Sequence, residues 1–162
     1  MEPKLEKVKS YLANFGLANR VMELREASAT VKQAAKALHV EPGRIAKTIS
    51  LEKGEGCVLI VTAGDRKIDN SKFKRTFAQR AKLLSADKVL PLTGYPIGGV
   101  CPFCNPESAA VYLDKSLRRF TFVYPAAGTA NSVVRLTCAE LERASAFREW
   151  VDVSKPIELR EQ

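Results

Sequence analysis

Histidine is almost missing from this chain. His39 is the only one among 162 residues. A Ser-His-Asp or Cys-His arrangement is thereby disfavoured, because such triads use an imidazole as the proton carrier. Hydrolytic chemistry would have to rest on a lysine, on backbone amides or on groups of the substrate. Cysteine is also scarce: Cys57, Cys101, Cys104 and Cys138. Cys101 and Cys104 form one Cys-x-x-C, but a structural zinc site needs four ligands and no second close pair exists. A thiol-redox pair normally opens a helix, whose dipole lowers the thiol pKa. Here Pro102-Phe103 lies inside the pair and Asn105-Pro106 follows, and the residue before a proline disfavours helical geometry. No metal and no cofactor is expected. No run approaches the roughly 18 apolar residues of a membrane span. The opening "MEPKLEKVKSYLANFG" is charged and amphipathic, unlike a secretory leader, so the expectation is a cytoplasmic protein with reduced thiols. Internal repeats, low-complexity segments and linkers are absent.

What is present is an ordinary globular composition, 46% hydrophobic and 27% charged. The length fits one domain over 1–162 with a real core. The net charge is +8, and most of the excess sits between residues 66 and 88. That segment holds Arg66, Lys67, Lys72, Lys74, Arg75, Arg80, Lys82 and Lys88 against Asp69 and Asp87. Such a surface attracts a polyanion such as RNA. A solvated face with no partner has the same composition.

Apolar spacing predicts a helix over 3–15, stopped by Gly16, and a short strand over 20–24. Thr30 and Gln33 make a capping box for a helix whose buried stripe is Val31, Ala34, Ala35 and Leu38. Residues 44–53 and 57–64 read as a hairpin around Gly54-Glu55-Gly56. Its second strand is apolar at nearly every position and therefore central. A basic helix over 69–78 and a short one from Ser85, limited by Pro91, come next. Strands are expected over 109–117, 119–125 and 132–136, then a helix capped by Thr137 and Glu140. A last strand over 149–153 precedes a loose tail, 155–162. Hairpins mixed with helices, without a regular βαβ repeat, indicate an α/β or α+β domain around a mixed sheet.

Two loops and one lysine carry the chemistry. "GYPIGGVCPFC" (94–104) contains Gly98-Gly99, whose backbone freedom lets a ligand approach closely. Successive free amides there can bind a carbonyl oxygen or a developing oxyanion. "PAAGTANS" (125–132) is a second small-residue loop, in which Thr129, Asn131 and Ser132 offer hydrogen bonds. Either loop alone is also what an ordinary turn looks like. Lys47 opens an apolar strand. Its stem can pack while its head reaches water, or its ammonium can anchor an anion such as a phosphate.

"ATVKQAAKALHVEPGRIAKTISL", "VTAGDRKIDNSKF", "GYPIGGVCPF", "VYLDKSLRRF" and "PAAGTANSVVRLT" follow in this order. With them the chain resembles the YbaK and prolyl-tRNA-synthetase-associated domain family of trans-editing deacylases over about residues 5–153. The resemblance implies a mixed, partly curled sheet with flanking helices. It also implies hydrolysis of the ester in mischarged aminoacyl-tRNA, usually tRNA for proline bearing a small wrong residue. Its invariant lysine falls on Lys47, which would hold the terminal adenosine's phosphate or ribose. Its glycines fall on Gly98 and Gly99; the amides of Gly99 and Val100 would grip the acyl carbonyl. Gly128, Thr129, Asn131 and Ser132 would line the acyl pocket, with Thr30 and Val31 on the other wall. Lys72, Lys74, Arg75, Arg80 and Lys82 would meet the acceptor stem. The implied partners are charged tRNA and, through it, prolyl-tRNA synthetase.

Three places depart from the family pattern. Cys101-Pro102 stands where the cysteine-editing branch has Ser-Pro. Gly128-Thr129-Ala130-Asn131 stands where that branch has Gly-Lys-Arg-Gly. Tyr124-Pro125 stands where the alanine-editing branch has His-Pro. The acyl group is therefore narrowed only to alanine, serine or cysteine. The main alternative is a non-catalytic module binding a tRNA end or nucleotide on the same fold; a thiol-redox or zinc protein ranks third, because Cys101 and Cys104 lack the context described above.

Overall fold

The computed structural model describes residues 2–26 and 28–158. Its first helix, α1 (Pro3–Ala13), starts where Glu2 accepts from the Lys4 amide and a proline takes a position needing no amide hydrogen. Its apolar stripe buries Leu5, Val8 and Leu12, each worth about 1.5–3 kcal/mol. Strand β1 (Val21–Glu23) follows. α2 (Val31–Leu38) carries both halves of the Thr30/Gln33 capping box and ends on left-handed His39.

β2 (Ile45–Lys53) and β3 (Gly56–Ala63) form the expected hairpin, with Lys47 opposite Thr62 and Ser50 opposite Leu59. β3 is buried from Cys57 to Ala63 because it is central in the five-stranded sheet β6-β2-β3-β5-β8. That sheet is mixed: β2–β3 is antiparallel, while β2–β6, β3–β5 and β5–β8 are parallel. Here β5 is Ala109–Asp114, β6 Tyr124–Pro125 and β8 Trp150–Val151. Alternate residues of β3 feed two cores. Leu59 and Val61 join α1 and the helices α4 (Ala86–Thr93) and α5 (Cys138–Ser145). Val58 and Ile60 join Phe73 and Phe77 of α3 (Asn70–Phe77). Among the described residues no helix is long and apolar enough to cross a membrane.

The structure differs from the sequence expectations in four places. The stretches 115–117 and 119–123 are not strand, because Asp114 accepts from the Ser116 amide and turns the chain into a 3-10 helix over Lys115–Arg119. α4 runs through Pro91 to Thr93 and stops at Gly94, whose φ is +87°; only one helical hydrogen bond is lost there. A strand β4 (Arg66–Ile68), not foreseen, pairs with β9 (Ser154–Pro156). The start of the supposedly loose tail is thus held in a ladder; 159–162 lie outside the described residues. Finally, β7 is Ser132–Val134 and pairs with β1 apart from the main sheet.

Candidate functional site

β2 is an edge strand for part of its length. β6 pairs with it only at Ile45 and Ala46. Farther along, Leu84 N donates to Ser50 O and Glu52 N donates to Lys82 O. Between these contacts a cavity of about 380 Å³ opens beside Lys47 and Thr48. Its walls come from the start of α2 (Thr30, Val31, Ala34), the Gly98–Val100 turn, Val89 of α4, and Tyr124, Ala126 and Val133. Small and branched apolar residues dominate, and no carboxylate or imidazole is on the wall.

Lys47 is half-buried on this wall. Burial lowers its pKa below the ordinary lysine value, and the field of Asp65 partly offsets that shift. Asp65 is itself bound by both terminal nitrogens of Arg119, at 3.0 and 2.6 Å, which holds its carboxyl below the usual range. Lys47 has no ion pair among the described residues, so its ammonium is left to a ligand or to water.

Thr48 is one of the wall residues that sequence reasoning missed, along with Ala126 and Val133. Its Oγ1 is buried and has no hydrogen-bond partner, and the residue lines the cavity. Buried hydroxyls are nearly always paired, so this orphan sets Thr48 apart from the rest of the wall.

The glycine turn is built differently from the expectation. Pro96 to Gly99 form a turn in which Gly98 takes φ +90° and Gly99 N donates to Pro96 O at 3.0 Å. The Gly99 amide is therefore committed to the turn and does not face the cavity, a correction to its assigned role. Gly98 and Val100 line the wall instead, and their amides have no partner among the described residues. Gly99 is needed for a close approach of two backbones. A Cβ there would lie 2.6 Å from Gly128 O and 2.9 Å from Thr129 N.

The second loop stands behind the wall. Gly128, with φ +96°, packs against Lys4 O, Val8 and Tyr95. Thr129 Oγ1 bonds Asn131 and Ser132, and Asn131 Nδ2 donates to Leu24 O. These polar groups tie the loop to the chain beyond β1, and Ala126 and Val133 supply the wall. Thr30 and Val31 do line the cavity.

Of the basic residues, Lys72 is held inside the fold: its ammonium bonds Asp152 and Ser154 O at 3.0 and 2.9 Å. Lys74, Arg75, Arg80 and Lys82 are exposed, with Lys82 loosely paired to Glu52 at 3.6 Å. The cysteines do not meet at the cavity. Cys101 is fully buried and its thiol is pushed up to about 12, chiefly by burial; Cys104 is exposed on a left-handed turn. No three His, Cys, Asp or Glu side chains group as metal ligands among the described residues.

Comparison with known proteins places this geometry. Residues 25–144 match the aminoacyl-tRNA editing domain. An uncharacterised protein of Bacillus subtilis, YwhH, is 45% identical over 155 residues, spanning 95% of this chain and 99% of that protein. The proline–tRNA ligase of Bacillus pumilus is 26% identical over 138 residues; the match covers 75% of this chain and only 24% of the ligase. A crystal structure described as a candidate trans-editing enzyme for prolyl tRNA synthetase superposes with a TM-score of 0.85 at 28% identity, covering 96% of this chain and 99% of that one. Hypothetical protein APE2540 superposes with a TM-score of 0.81, also at 28% identity, over 92% and 99%. On these matches and on the mixed-sheet fold, the chain belongs to the aminoacyl-tRNA editing domain family.

Proposed function

We propose that this cytoplasmic protein hydrolyses the ester of mischarged aminoacyl-tRNA, with tRNA for proline carrying alanine, serine or cysteine as the substrate. The observation that carries the reading is the cavity of about 380 Å³, which joins a half-buried, unpaired lysine to two unpartnered amides at a sheet edge. Similarity to proline–tRNA ligases over three quarters of the chain or more supports the choice of tRNA.

The acyl group sits against Ala34, Ala126 and Val133, which give that part of the wall a small, apolar lining. The Gly98 and Val100 amides donate to the ester carbonyl oxygen and hold the oxyanion as the carbonyl carbon becomes tetrahedral. Water adds to that carbon and loses a proton. The C–O bond to the ribose then breaks, and the ribose oxygen takes up a proton, giving free amino acid and tRNA. Lys47 bonds the terminal phosphate or ribose and fixes the ester between the amides. The Thr48 hydroxyl bonds a polar group of the aminoacyl-adenosine. No side-chain nucleophile is required, because the ester is already activated.

One observation favours the other reading, a binding module without turnover: the wall carries no carboxylate or imidazole to act as base. Deacylation assays with tRNA for proline charged with each small residue separate the two. Hydrolysis supports the enzyme, and binding of charged tRNA without hydrolysis supports the module.

A further inference from the structure

Three large apolar side chains stand out from the described surface: Leu83 at 66% exposure, Ile97 at 67% and Leu90 at 50%. Leu83 and Ile97 line the mouth of the cavity. Leu90 is on α4, next to Val89 and one turn from Ala86, which also line it. Isolated exposed leucines need no explanation, but three around one opening do.

The basic segment leads to the same place. Residues 82–84 lie along the β2 edge through the Glu52–Lys82 and Ser50–Leu84 backbone bonds. Gln79 fastens the approach by donating to Glu52 O. Exposed Arg80 and Lys82 thus immediately precede Leu83 at the mouth.

We propose that Leu83, Ile97 and Leu90 seat the unpaired 3′-terminal nucleotides of an RNA, base faces on the apolar side chains and phosphates toward Arg80 and Lys82. The inference rests on the reading above in one respect: an RNA whose acyl ester lies inside the cavity has to pass over residues at its rim, where Leu83 and Ile97 stand exposed. A single strand offers both an apolar base face and a charge at every nucleotide, whereas a duplex hides the faces. A protein partner would use the apolar trio but has no need of the cations beside it. Leucine and isoleucine make no base-specific hydrogen bonds, so the seat tolerates different bases.

The test uses the full chain and a labelled, uncharged oligoribonucleotide ending in single-stranded CCA, with a blunt duplex as the comparison. Fluorescence anisotropy should show the single strand bound about tenfold or more tighter than the duplex. Leu83→Ser/Ile97→Ser should weaken single-strand binding about tenfold without changing its salt dependence. Arg80→Ala/Lys82→Ala should lower the salt slope by about one to two. Circular dichroism establishes that each surface variant is folded. Native-like binding by the apolar double variant overturns the proposal, as does a preference for the duplex. So does a native dimer that this variant dissociates while RNA affinity stays the same, which would assign the patch to a second copy. Because binding is read without turnover, expected binding with no deacylation of any charged tRNA overturns the enzyme reading and leaves the seat standing. Deacylation with unchanged binding by the variant does the reverse.

Discussion

Lys47 and Thr48 are neighbours on one strand with opposite electrostatic problems. Lys47 keeps a charge that burial disfavours; Thr48 keeps a hydroxyl that nothing satisfies. Both are costs to the free protein. Lys47→Met should keep the fold, as read by urea unfolding, and slow deacylation by about ten- to a hundredfold, the worth of a charged hydrogen bond. An unchanged rate would remove Lys47 from the mechanism. Burial lowers the Lys47 pKa, so the ammonium is lost at a lower pH than for an ordinary lysine. Binding of charged tRNA should therefore weaken as pH rises through that lowered value, and the Met variant should lack this limb. Thr48→Val should leave stability equal or higher, by about 1 kcal/mol, because it replaces an orphan hydroxyl with a methyl of the same shape. The same variant should deacylate more slowly; a native rate would mean that the hydroxyl meets no substrate group. Cys101 is fully buried, and burial raises its thiol pKa, whereas Cys104 is exposed. A thiol reagent on folded protein should label Cys104 first and leave Cys101 unreacted until unfolding.

At the scale of elements, the site depends on two turns packed backbone to backbone. Gly99→Ala should cost about 1–3 kcal/mol or more, measured by urea midpoint, because its Cβ meets Gly128 backbone that has nowhere to move. Asp114 does a similar job at the far end of β5. Its buried carboxylate accepts from Ser116 N, Val153 N and Ser154 Oγ, fixing the 3-10 turn and the start of β9. Asp114→Ala should destabilise by about 3 kcal/mol or more, since three buried donors lose their acceptor. The long periodic elements were legible in the sequence: α1, the β2–β3 hairpin and the two capping boxes follow from local spacing. Short β1, β6, β7 and β8 fall inside strands expected from the sequence, though with shorter bounds, whereas β4 and β9 were not legible: each is three residues long and exists because a distant segment supplies its ladder. Lys47 and the Gly98 turn could be picked out because a lysine on an apolar strand and a double glycine are odd locally. Thr48 could not, because an unpaired hydroxyl shows itself only when all its neighbours are in place. The Gly99 amide was assigned to substrate for the same reason: a turn's internal hydrogen bond is invisible until its geometry is known.

Across the whole molecule, exposed Arg80 and Lys82 and the exposed apolar side chains Leu83 and Ile97 come together at the cavity beside the β2 edge. The charge supplies long-range attraction and the cavity supplies selection at close range. A pocket separates acyl groups differing by one methylene by only about 1–3 kcal/mol, so editing here should be graded across small residues. The central claim is tested most directly by single-turnover deacylation of tRNA for proline charged in turn with alanine, serine, cysteine and proline. The account predicts loss of at least one small-residue ester well above its spontaneous rate, abolished or strongly slowed by Lys47→Met. Folded protein that leaves all of these esters at their spontaneous rates would contradict it.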